Sequence, residues 1–267
     1  MEAVRALRMI VLGSAATLYS LNATADPCSN LLAGANSIGK GGPCFFLGGG
    51  AAIFEEEYSK ETEATIFPTV SMVWNSLYWE DTEFGFYFLG DNSNNSYWSL
   101  AALVQFSERG YDPDDSSYLK GLPKTKEAFE GGLKLSLGGA WGEMELKFAH
   151  DLDDTHQGYS IDASYTIPFV FDELLFTPVV GLTYYDEKNS SYYYGVNNKF
   201  ASLSRPTYKI EETYNLYAGY SILLSLSRDW AFFHSATVTQ LDDDIKNSPI
   251  VVSDNIFVAS AGFVYKF

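Results

Sequence analysis

Apolar and polar residues alternate along much of the chain after residue 43, as they do in a strand with one wet face and one apolar face. The last segment shows the alternation clearly. One face carries Phe257, Ala259, Ala261, Phe263, Tyr265 and Phe267, and the other carries Val258, Ser260, Gly262 and Lys266. Segments 128–137, 143–148, 159–167 and 214–227 alternate in the same way. Runs such as 174–185 carry no apolar stripe at helical spacing, so we expect strands rather than helices.

The pattern predicts about twelve strands in a single antiparallel, all-β transmembrane barrel. The predicted strands are 44–55, 64–74, 77–81, 84–90, 97–108, 127–140, 142–151, 158–169, 174–186, 211–227, 230–241 and 255–267. Reading 77–90 as one strand would give eleven. Bacterial single-chain barrels have even strand numbers, which favours twelve.

The connections between the predicted strands fall into two alternating classes. The odd-numbered connections each carry at least two carboxylates, in 55–63, 80–83, 108–115, 151–154, 186–187 and 242–244. The even-numbered connections are short and weakly charged, at 75–76, 92–95, 141–142, 171–173 and 227–229. This division predicts one acidic, loop-rich rim outside the cell and one tight periplasmic rim. Twelve strands also place Glu80, Asp81 and Glu83 on the acidic rim, whereas eleven would leave them against lipid.

Composition agrees with a barrel wall. The chain has 267 residues, of which 46% are hydrophobic, 16% aromatic and 19% charged, and its net charge of -17 argues against nucleic-acid binding. Many aromatic residues fall near predicted strand ends, where membrane barrels carry aromatic girdles. These residues are Tyr78, Trp79, Trp98, Tyr184, Tyr185, Tyr192, Tyr193, Tyr194, Tyr214 and Trp230.

The N-terminal residues predict export. Residues 1–25 resemble a signal peptide, with Arg5 and Arg8 before an apolar run and small residues before Asp26. The alternative is a buried N-terminal helix. The predicted organisation is therefore a signal peptide at 1–25, an N-terminal segment at 26–43 and the barrel at 44–267. In an exported chain Cys28 and Cys44 are expected to pair, which would stabilise the fold by about 3 kcal/mol, although two unpaired thiols remain an alternative.

Two groups of charged residues are candidate sites. The first lies on the inward face of neighbouring strands and consists of Glu130, Lys134, Glu143, Glu145, Lys147 and Asp162. It is either a charge network that fills a narrow interior or a selectivity constriction for a small polar solute. The second lies in the acidic loops, where Asp112, Asp114, Asp151, Asp154, Asp242 and Asp244 could recruit Ca²⁺ or Mg²⁺ and bridge to lipopolysaccharide. The alternative is that these loops only keep the surface solvated.

The sequence predicts no catalytic site and no other cofactor. His234 and Ser235 are adjacent on a strand and therefore face opposite sides. Asp154 and His156 resemble half of a barrel protease site, but an aspartate near a histidine is expected by chance in such acidic loops. His150, His156 and His234 do not lie at metal-ligand spacing on one face.

The C-terminal residues resemble the β-signal that the outer-membrane assembly machinery reads. The matching residues are Ser260, Gly262, Tyr265 and the final Phe267. The second half of the chain also resembles the MipA/OmpV family, named for the MltA-interacting protein. The matching stretches are Leu182-Thr183-Tyr184, Tyr193-Tyr194-Gly195-Val196, Pro206-Thr207-Tyr208 and Asn247-Ser248-Pro249-Ile250-Val251, with Phe67-Pro68 as the best match in the first half.

The family resemblance implies a barrel in the outer membrane of a Gram-negative cell, in contact with lipid and lipopolysaccharide. It also implies a scaffolding role in the envelope, because one member is proposed to join a murein lytic transglycosylase to a murein synthase. The main alternative is a narrow channel or uptake porin for a small solute. An adhesin or an outer-membrane hydrolase is less favoured.

Overall fold

The computed structural model describes residues 43–93, 96–107 and 109–267. The predicted signal peptide, most of the N-terminal segment and Cys28 lie outside these residues. The strands of the described part are β1 (Cys44–Glu55), β2 (Thr62–Trp74), β3 (Leu77–Glu80), β4 (Glu83–Ser93), β5 (Ser96–Phe106), β6 (Phe129–Gly139), β7 (Gly142–Asp151), β8 (Tyr159–Thr166), β9 (Phe169–Phe171), β10 (Leu174–Tyr185), β11 (Thr213–Ser225), β12 (Trp230–Gln240) and β13 (Asn255–Lys266). Its helices are α1 (Glu187–Tyr194), a 3₁₀ helix (Asn198–Phe200) and α2 (Asp243–Lys246).

The strands form a closed ring. Neighbours in the chain pair antiparallel, and β13 pairs with β1 to close the sheet. Strands β8 and β9 both pair with β10 and act as one wall strand, interrupted where Pro168 has no N–H to donate. The described residues thus form a closed antiparallel barrel of twelve strands, which confirms the predicted fold and strand number. No helix of this part of the chain is long and apolar enough to cross a membrane.

The two faces of the wall differ as the alternation predicts. Along β13 the side chains of Val258, Ser260 and Val264 are buried inside the barrel, whereas Phe263 is half exposed on the outside. The outer face carries large exposed apolar residues all round the ring, including Ile66, Phe86, Leu133, Leu146, Val180 and Leu216. An apolar band of this kind is covered by lipid in a membrane barrel.

Tight turns join several of the strands. The turns at 75–76, 81–82 and 172–173 begin with Asn75, Asp81 and Asp172, whose φ angles are 56°, 47° and 47°. Two-residue hairpin turns require a positive φ at this position, and Asn and Asp adopt it more readily than other residues with a side chain. These residues therefore fix the register of three hairpins.

The two ends of the barrel are built differently. We call one the loop end, where the connections 56–61, 107–128, 152–158, 186–212 and 241–254 lie, and the other the turn end, where 75–76, 140–141, 172–173 and 226–229 lie. The acidic loops are at the loop end, as the sequence predicts. The β3–β4 hairpin is an exception. Because β3 pairs only with Ser71–Trp74, its turn lies within the wall, and Glu83 is buried in the lumen rather than placed on the acidic rim.

The loops at the loop end pack into an apolar cap over the lumen. Its buried residues are Phe54, Tyr58, Tyr111, Leu119, Leu122, Tyr193, Tyr194, Val196, Ile210, Leu241, Ile245, Ile250, Val251, Ile256 and Val258. Burying this much apolar surface gives the loops a core of their own. The hydroxyl of Tyr58 donates to the carbonyl of Tyr193 at 3.1 Å, which joins the first loop to α1.

The cap corrects two sequence predictions. Residues 187–194 form a helix where the sequence pattern predicted none, because Asp186 caps it by accepting the N–H of Asn189 at 3.1 Å. Several of the predicted girdle residues are buried instead: Tyr193 and Tyr194 in the cap, and Tyr78 and Tyr185 in the barrel interior. Trp79, Trp98, Tyr214 and Trp230 do lie exposed on the outer surface.

A second apolar cluster lines one side of the lumen near the turn end. It contains Cys44, Phe46, Leu175, Leu223 and Val264, with Phe233 packed against it. Each of these side chains comes from an inward-facing strand position. On this side of the ring, the polar part of the lumen lies between the cap and this cluster.

Candidate functional site in the barrel lumen

A buried ionic network occupies the lumen beside β4 and β6. The Nζ of Lys134 donates to Glu83 Oε1 at 2.7 Å, and the Nζ of Lys147 donates to Glu83 Oε2 at 3.1 Å. The hydroxyl of Tyr78 also donates to Glu83 Oε1, at 2.7 Å. Buried charges are tolerated only when they are paired and hydrogen-bonded in this way. Glu83 is therefore the centre of the network. The sequence did not predict this role, because Glu83 belongs to a predicted acidic turn.

Three lumen tyrosines lie across glycines on the neighbouring strand. Each glycine is the cross-strand partner of its tyrosine, and a β-carbon on the glycine would overlap the ring. Each tyrosine hydroxyl then donates to a lumen carboxylate. The three sets are Tyr78, Gly85 and Glu83; Tyr97, Gly138 and Glu143; and Tyr217, Gly181 and Asp162. The glycines allow the rings to lie flat against the wall, which positions the carboxylates and leaves space in the lumen.

Closer to the loop end of the lumen, Glu130 binds two side chains. Its Oε2 accepts the amide of Gln105 at 2.7 Å, and its Oε1 lies 3.2 Å from Nε2 of His156. The Nδ1 of His156 accepts the N–H of Gly158 at 3.0 Å. A neutral ring that accepts at Nδ1 carries its proton on Nε2, so His156 donates to Glu130. The histidine therefore fixes a lumen carboxylate rather than pairing with Asp154.

Beneath the cap, the lumen contains a cavity of about 200 Å³. It is lined by Gln105, Phe106, Ser107, Arg109, Glu130, Glu145, Lys147, Ser160, Asp162, Ser164, Thr177, Val179, Thr183, Tyr185, Tyr217, Tyr220, Ser221 and Thr237. Sixteen of the eighteen lining side chains carry a polar group, and the charged groups are three carboxylates and two cations. Pockets with a few convergent polar groups are the usual form of a small-molecule site.

Arg109 closes the loop-end side of the cavity. Its guanidinium carbon lies 3.8 Å from the ring centroid of Tyr185 and 4.5 Å from that of Tyr193. Its Nη2 donates to Oδ1 of Asn189. Stacking on two rings and one hydrogen bond hold the cation in place.

Several buried polar atoms around the cavity have no hydrogen-bond partner in the described protein. These atoms are Nη1 of Arg109, Nδ2 of Asn189, and the hydroxyls of Thr177 and Thr237. Both threonines are 3% exposed. Leaving such groups unpaired costs about 1–3 kcal/mol each, so they are expected to bind water or a ligand.

The cap also contains a buried acid. Glu57 accepts the hydroxyl of Tyr194 at 3.1 Å, and burial raises the pKa of the Glu57 carboxyl above its ordinary value. Burial likewise raises the pKa of Tyr193 to about 12. The hydroxyl of Tyr193 lies 3.2 Å from Oγ of Ser107.

All six charged residues predicted from the sequence for the lumen face the barrel interior. Glu130, Glu145, Lys147 and Asp162 line the cavity, while Lys134 joins the network of Glu83 and Glu143 binds Tyr97. Two residues of the site were not predicted from the sequence: Arg109, which lies in a loop, and Glu83. For Glu83 the sequence does contain a signal. Gly85, two residues later and so on the same face of the strand, lies opposite the inward-facing Tyr78.

The acidic loop residues serve mainly as acceptors for loop backbone. Asp151 accepts the N–H groups of Asp153, His156 and Gln157 at 2.7 to 2.9 Å. Asp112 and Asp242 accept the N–H groups of Asp114 and Asp244, and Asp154 has a φ of 59°. In the described residues, no group of three or more His, Cys, Asp or Glu side chains is placed to hold a metal ion. The predicted cation site therefore gains no geometric support from these loops.

The predicted assembly signal lies on β13. Oγ of Ser260 is 2.8 Å from Oγ of Ser235, and Gly262 lies against the backbone of Gly50. The ring of Tyr265 packs on Trp230 and Phe267. Cys44 is buried at the start of β1, and its predicted partner Cys28 lies outside the described residues.

A closed antiparallel barrel with an apolar outer band and a polar lumen defines the class of protein, a β-barrel of the bacterial outer membrane. Residues 47–267 match the family described as MltA-interacting protein MipA. The chain therefore belongs to this family, which confirms the resemblance seen in the sequence.

Individual relatives carry outer-membrane names. The chain is 27% identical over 169 residues to outer membrane protein Omp26La of Vibrio anguillarum. The match spans 63% of this chain and 66% of the Vibrio protein, which is just under two thirds of that relative's length. It is 24% identical over 227 residues to the MltA-interacting protein of Escherichia coli (strain K12), spanning 84% and 90%. A solved structure, the Ralstonia pickettii toluene transporter TbuX, is similar with a TM-score of 0.38 at 8% identity, over 90% of this chain and 93% of that one. The names place this chain's family in the outer membrane.

Proposed function

We propose that the barrel binds a small polar solute in its lumen and passes it across the outer membrane. One observation carries this proposal: a cavity of about 200 Å³, lined largely by side chains with polar groups and including unpartnered hydrogen-bonding atoms, lies in the lumen beneath the apolar cap. A side-chain network that merely filled the interior would leave neither a cavity nor unpaired groups. Twelve strands enclose more space than a filled eight-stranded barrel and less than an open porin.

The cap has to move for a solute to pass. Individual hydrogen bonds rather than strand ladders join its loops to the wall. Examples are the bond from the N–H of Asp242 to Oδ1 of Asn215 on β11 at 3.0 Å, and the contact between the hydroxyls of Ser190 and Thr213 at 2.9 Å. We therefore expect small and brief current steps when the purified full-length protein is placed in a planar lipid bilayer. Neutralising the cavity with Glu130→Gln and Glu145→Gln should reduce cation current severalfold.

A matched control neutralises two carboxylates outside the lumen. Asp172→Asn with Glu173→Gln makes the same change of net charge in an exposed turn at the turn end, and the current should stay as in the wild type. Absence of current steps from folded protein would contradict the proposal. Equal loss of current in the lumen and turn variants would contradict it as well.

A second candidate function is a scaffold for a murein lytic transglycosylase. The relative named MltA-interacting protein supports it, since the similarity spans 90% of that protein. The short connections of the turn end offer little surface for docking, which counts against it. Co-purification of a murein lytic transglycosylase with this chain, together with no current in bilayers, would favour the scaffold.

The remaining envelope contacts follow from the class of protein. We expect the assembly machinery to read the strand that ends at Phe267, and the acidic loops to face lipopolysaccharide. The relatives are named as outer membrane proteins and as an MltA-interacting protein rather than as enzymes, and the proposed function includes no catalysis.

A further inference from the structure

We infer that the chain before β1 folds back into the barrel at the turn end, where residues 29–43 dock on the lumen wall and narrow the mouth. The tether is a disulfide bond between Cys28 and Cys44. The occupant of this part of the lumen is thus a segment of the same chain. Its placement is independent of the proposed function, whereas its effect on current rests on that function.

The side chain of Cys44 points into the lumen. Cys44 is the first residue of β1, and it is 1% exposed. It shares the inward face of the strand with Phe46 and Phe54, because alternate residues of a strand point the same way. The register pairs Cys44 with Val73, one residue before the end of β2. The cysteine therefore lies at the turn-end edge of the wall.

The disulfide bond of Cys44 identifies what meets it there. Cys44 is in a disulfide bond, and the only other cysteine of the chain is Cys28. Because the ring of strands is closed and Cys44 lies on its inner face, Cys28 has to reach it from inside the barrel. The two α-carbons of a disulfide are usually about 4.4–6.8 Å apart, so we place Cys28 beside the rim of the lumen.

The wall around Cys44 presents an apolar surface to the lumen. The residues that pack with Cys44 lie on five neighbouring strands, β10 to β13 and β1, and are Phe46, Leu175, Leu223, Phe233 and Val264. Neighbouring strands are about 4.8 Å apart, so this surface is about 19 Å wide. Leu175 and Val264 lie within three residues of a strand end, yet they are only 2% and 3% exposed. Side chains so close to an open mouth would be wet, which indicates a cover on the side of the mouth.

The segment between the cysteines has the composition of such a cover. It includes Leu31, Leu32 and Ile38, and Lys40 is its only charged residue. A segment with a single charge loses little hydration when it leaves water. Packing its apolar side chains on the cluster removes both surfaces from water, which is favourable.

The length of the segment fits the width of the surface. Fifteen residues separate the two cysteines, so the loop reaches at most half of their extended length from the tether. That reach is about 25 Å, enough to cross a surface about 19 Å wide. The segment therefore covers one side of the mouth and leaves the remaining strands open, which narrows the path without closing it.

The first test locates the segment in the full-length protein, folded in detergent under oxidising conditions. p-Benzoylphenylalanine in place of Leu32 is irradiated, and its cross-links are mapped by mass spectrometry. We expect cross-links to the turn-end parts of β10 to β13. The same photoreactive residue in place of Leu203, exposed at the loop end, is the matched control and should give none to these strands. Cross-links from position 32 to other places only, or none, would overturn the inference, as would a disulfide-linked dimer on non-reducing gels.

The second test compares the bilayer current of the wild type with that of Cys28→Ser, which has lost the tether. The segment covers the side formed by five of the twelve strands, so its release should raise the current steps by about 1.7-fold, the ratio of twelve open strands to seven. A reducing agent on the turn-end side should produce the same rise in the wild type and leave Cys28→Ser unchanged. Leu31→Ser with Leu32→Ser keeps the disulfide, weakens the docking and should give part of the rise.

The two tests separate this inference from the proposed function. Current steps that neither reduction nor Cys28→Ser changes would overturn the narrowing of the mouth. No current from any folded variant would contradict the proposed function, and the cross-links would still decide where the segment lies. Heat-modifiable mobility on gels reports the folding of each variant.

Discussion

Removing the charge of Glu83 should cost more stability than any other single carboxylate change in the wall. Glu83→Gln leaves Lys134 and Lys147 in the lumen without the carboxylate that accepts their hydrogen bonds at 2.7 and 3.1 Å. The Lys134 and Glu83 side chains are only 6% and 10% exposed, so water cannot replace the lost partner. Breaking a buried ion pair by removing one partner costs about 3–5 kcal/mol.

The double variant Glu83→Gln with Lys134→Met separates this effect from packing. It removes Glu83 and Lys134 together and leaves only Lys147 without its carboxylate partner. Buried ion pairs replaced by well-packed uncharged side chains of similar volume are often neutral, or about 1–4 kcal/mol more stable. We therefore expect the double variant to be more stable than Glu83→Gln alone. The control is Asp112→Asn, which breaks the exposed pair with Lys124 and should cost about 0–1 kcal/mol.

The assay is urea unfolding of the refolded protein in lipid vesicles, followed by tryptophan fluorescence. With the single variant Lys134→Met added, the free energies of unfolding of the five proteins give the cost of each change and the coupling between Glu83 and Lys134. A cost for Glu83→Gln no larger than that for Asp112→Asn would show that Glu83 does not hold a stabilising buried ion pair. So would a double variant less stable than Glu83→Gln.

Two further predictions concern packing and pH. Gly181→Ala should displace the ring of Tyr217 and cost about 1–3 kcal/mol. Tyr217→Phe removes only the hydrogen bond to Asp162 and should cost about 1 kcal/mol. Both costs are measured by urea unfolding, and equal costs would contradict the overlap between a β-carbon at position 181 and the Tyr217 ring. Because burial raises the pKa of Glu57, its ionised form is disfavoured in the folded state, so its contribution to stability should fall as pH rises through the folded pKa. Glu57→Gln should therefore gain stability relative to wild type as the pH rises above the ordinary pKa of a glutamate, about 4.3, in paired unfolding curves. The exposed Glu61→Gln should show no such gain, and a gain of the same size there would contradict the assignment.

Much of the wall is predictable from alternation alone. Period-two patterns identify which face of β6, β7 and β13 is wet, because each side chain in a strand points opposite to the next. The same rule places Glu145 and Lys147 in the lumen without reference to any other strand. Turn residues such as Asn75 and Asp172 mark hairpins for a local reason as well.

The site itself depends on contacts that no local pattern encodes. Glu83 looks like a residue of an acidic turn, and only the short pairing of β3 with β2 brings it into the lumen. Arg109 belongs to a loop whose place is set by α1 and the cap, across many residues of chain. Tyr193 and Tyr194 are equally suited to a girdle or to a core, and tertiary packing decides between them.

If the cap closes a lumen that otherwise conducts, then removing part of the cap should open it. Thr125 donates its N–H to the carbonyl of Tyr111 at 3.1 Å, so residues 112–123 can be replaced by a short Gly–Ser linker that keeps both ends in place while removing Leu119 and Leu122. Leu203→Ser, at a fully exposed loop position, is the control. In planar bilayers the shortened protein should show long-lived current steps several times larger than those of the wild type and the control. Steps unchanged by the removal of this segment would contradict the account.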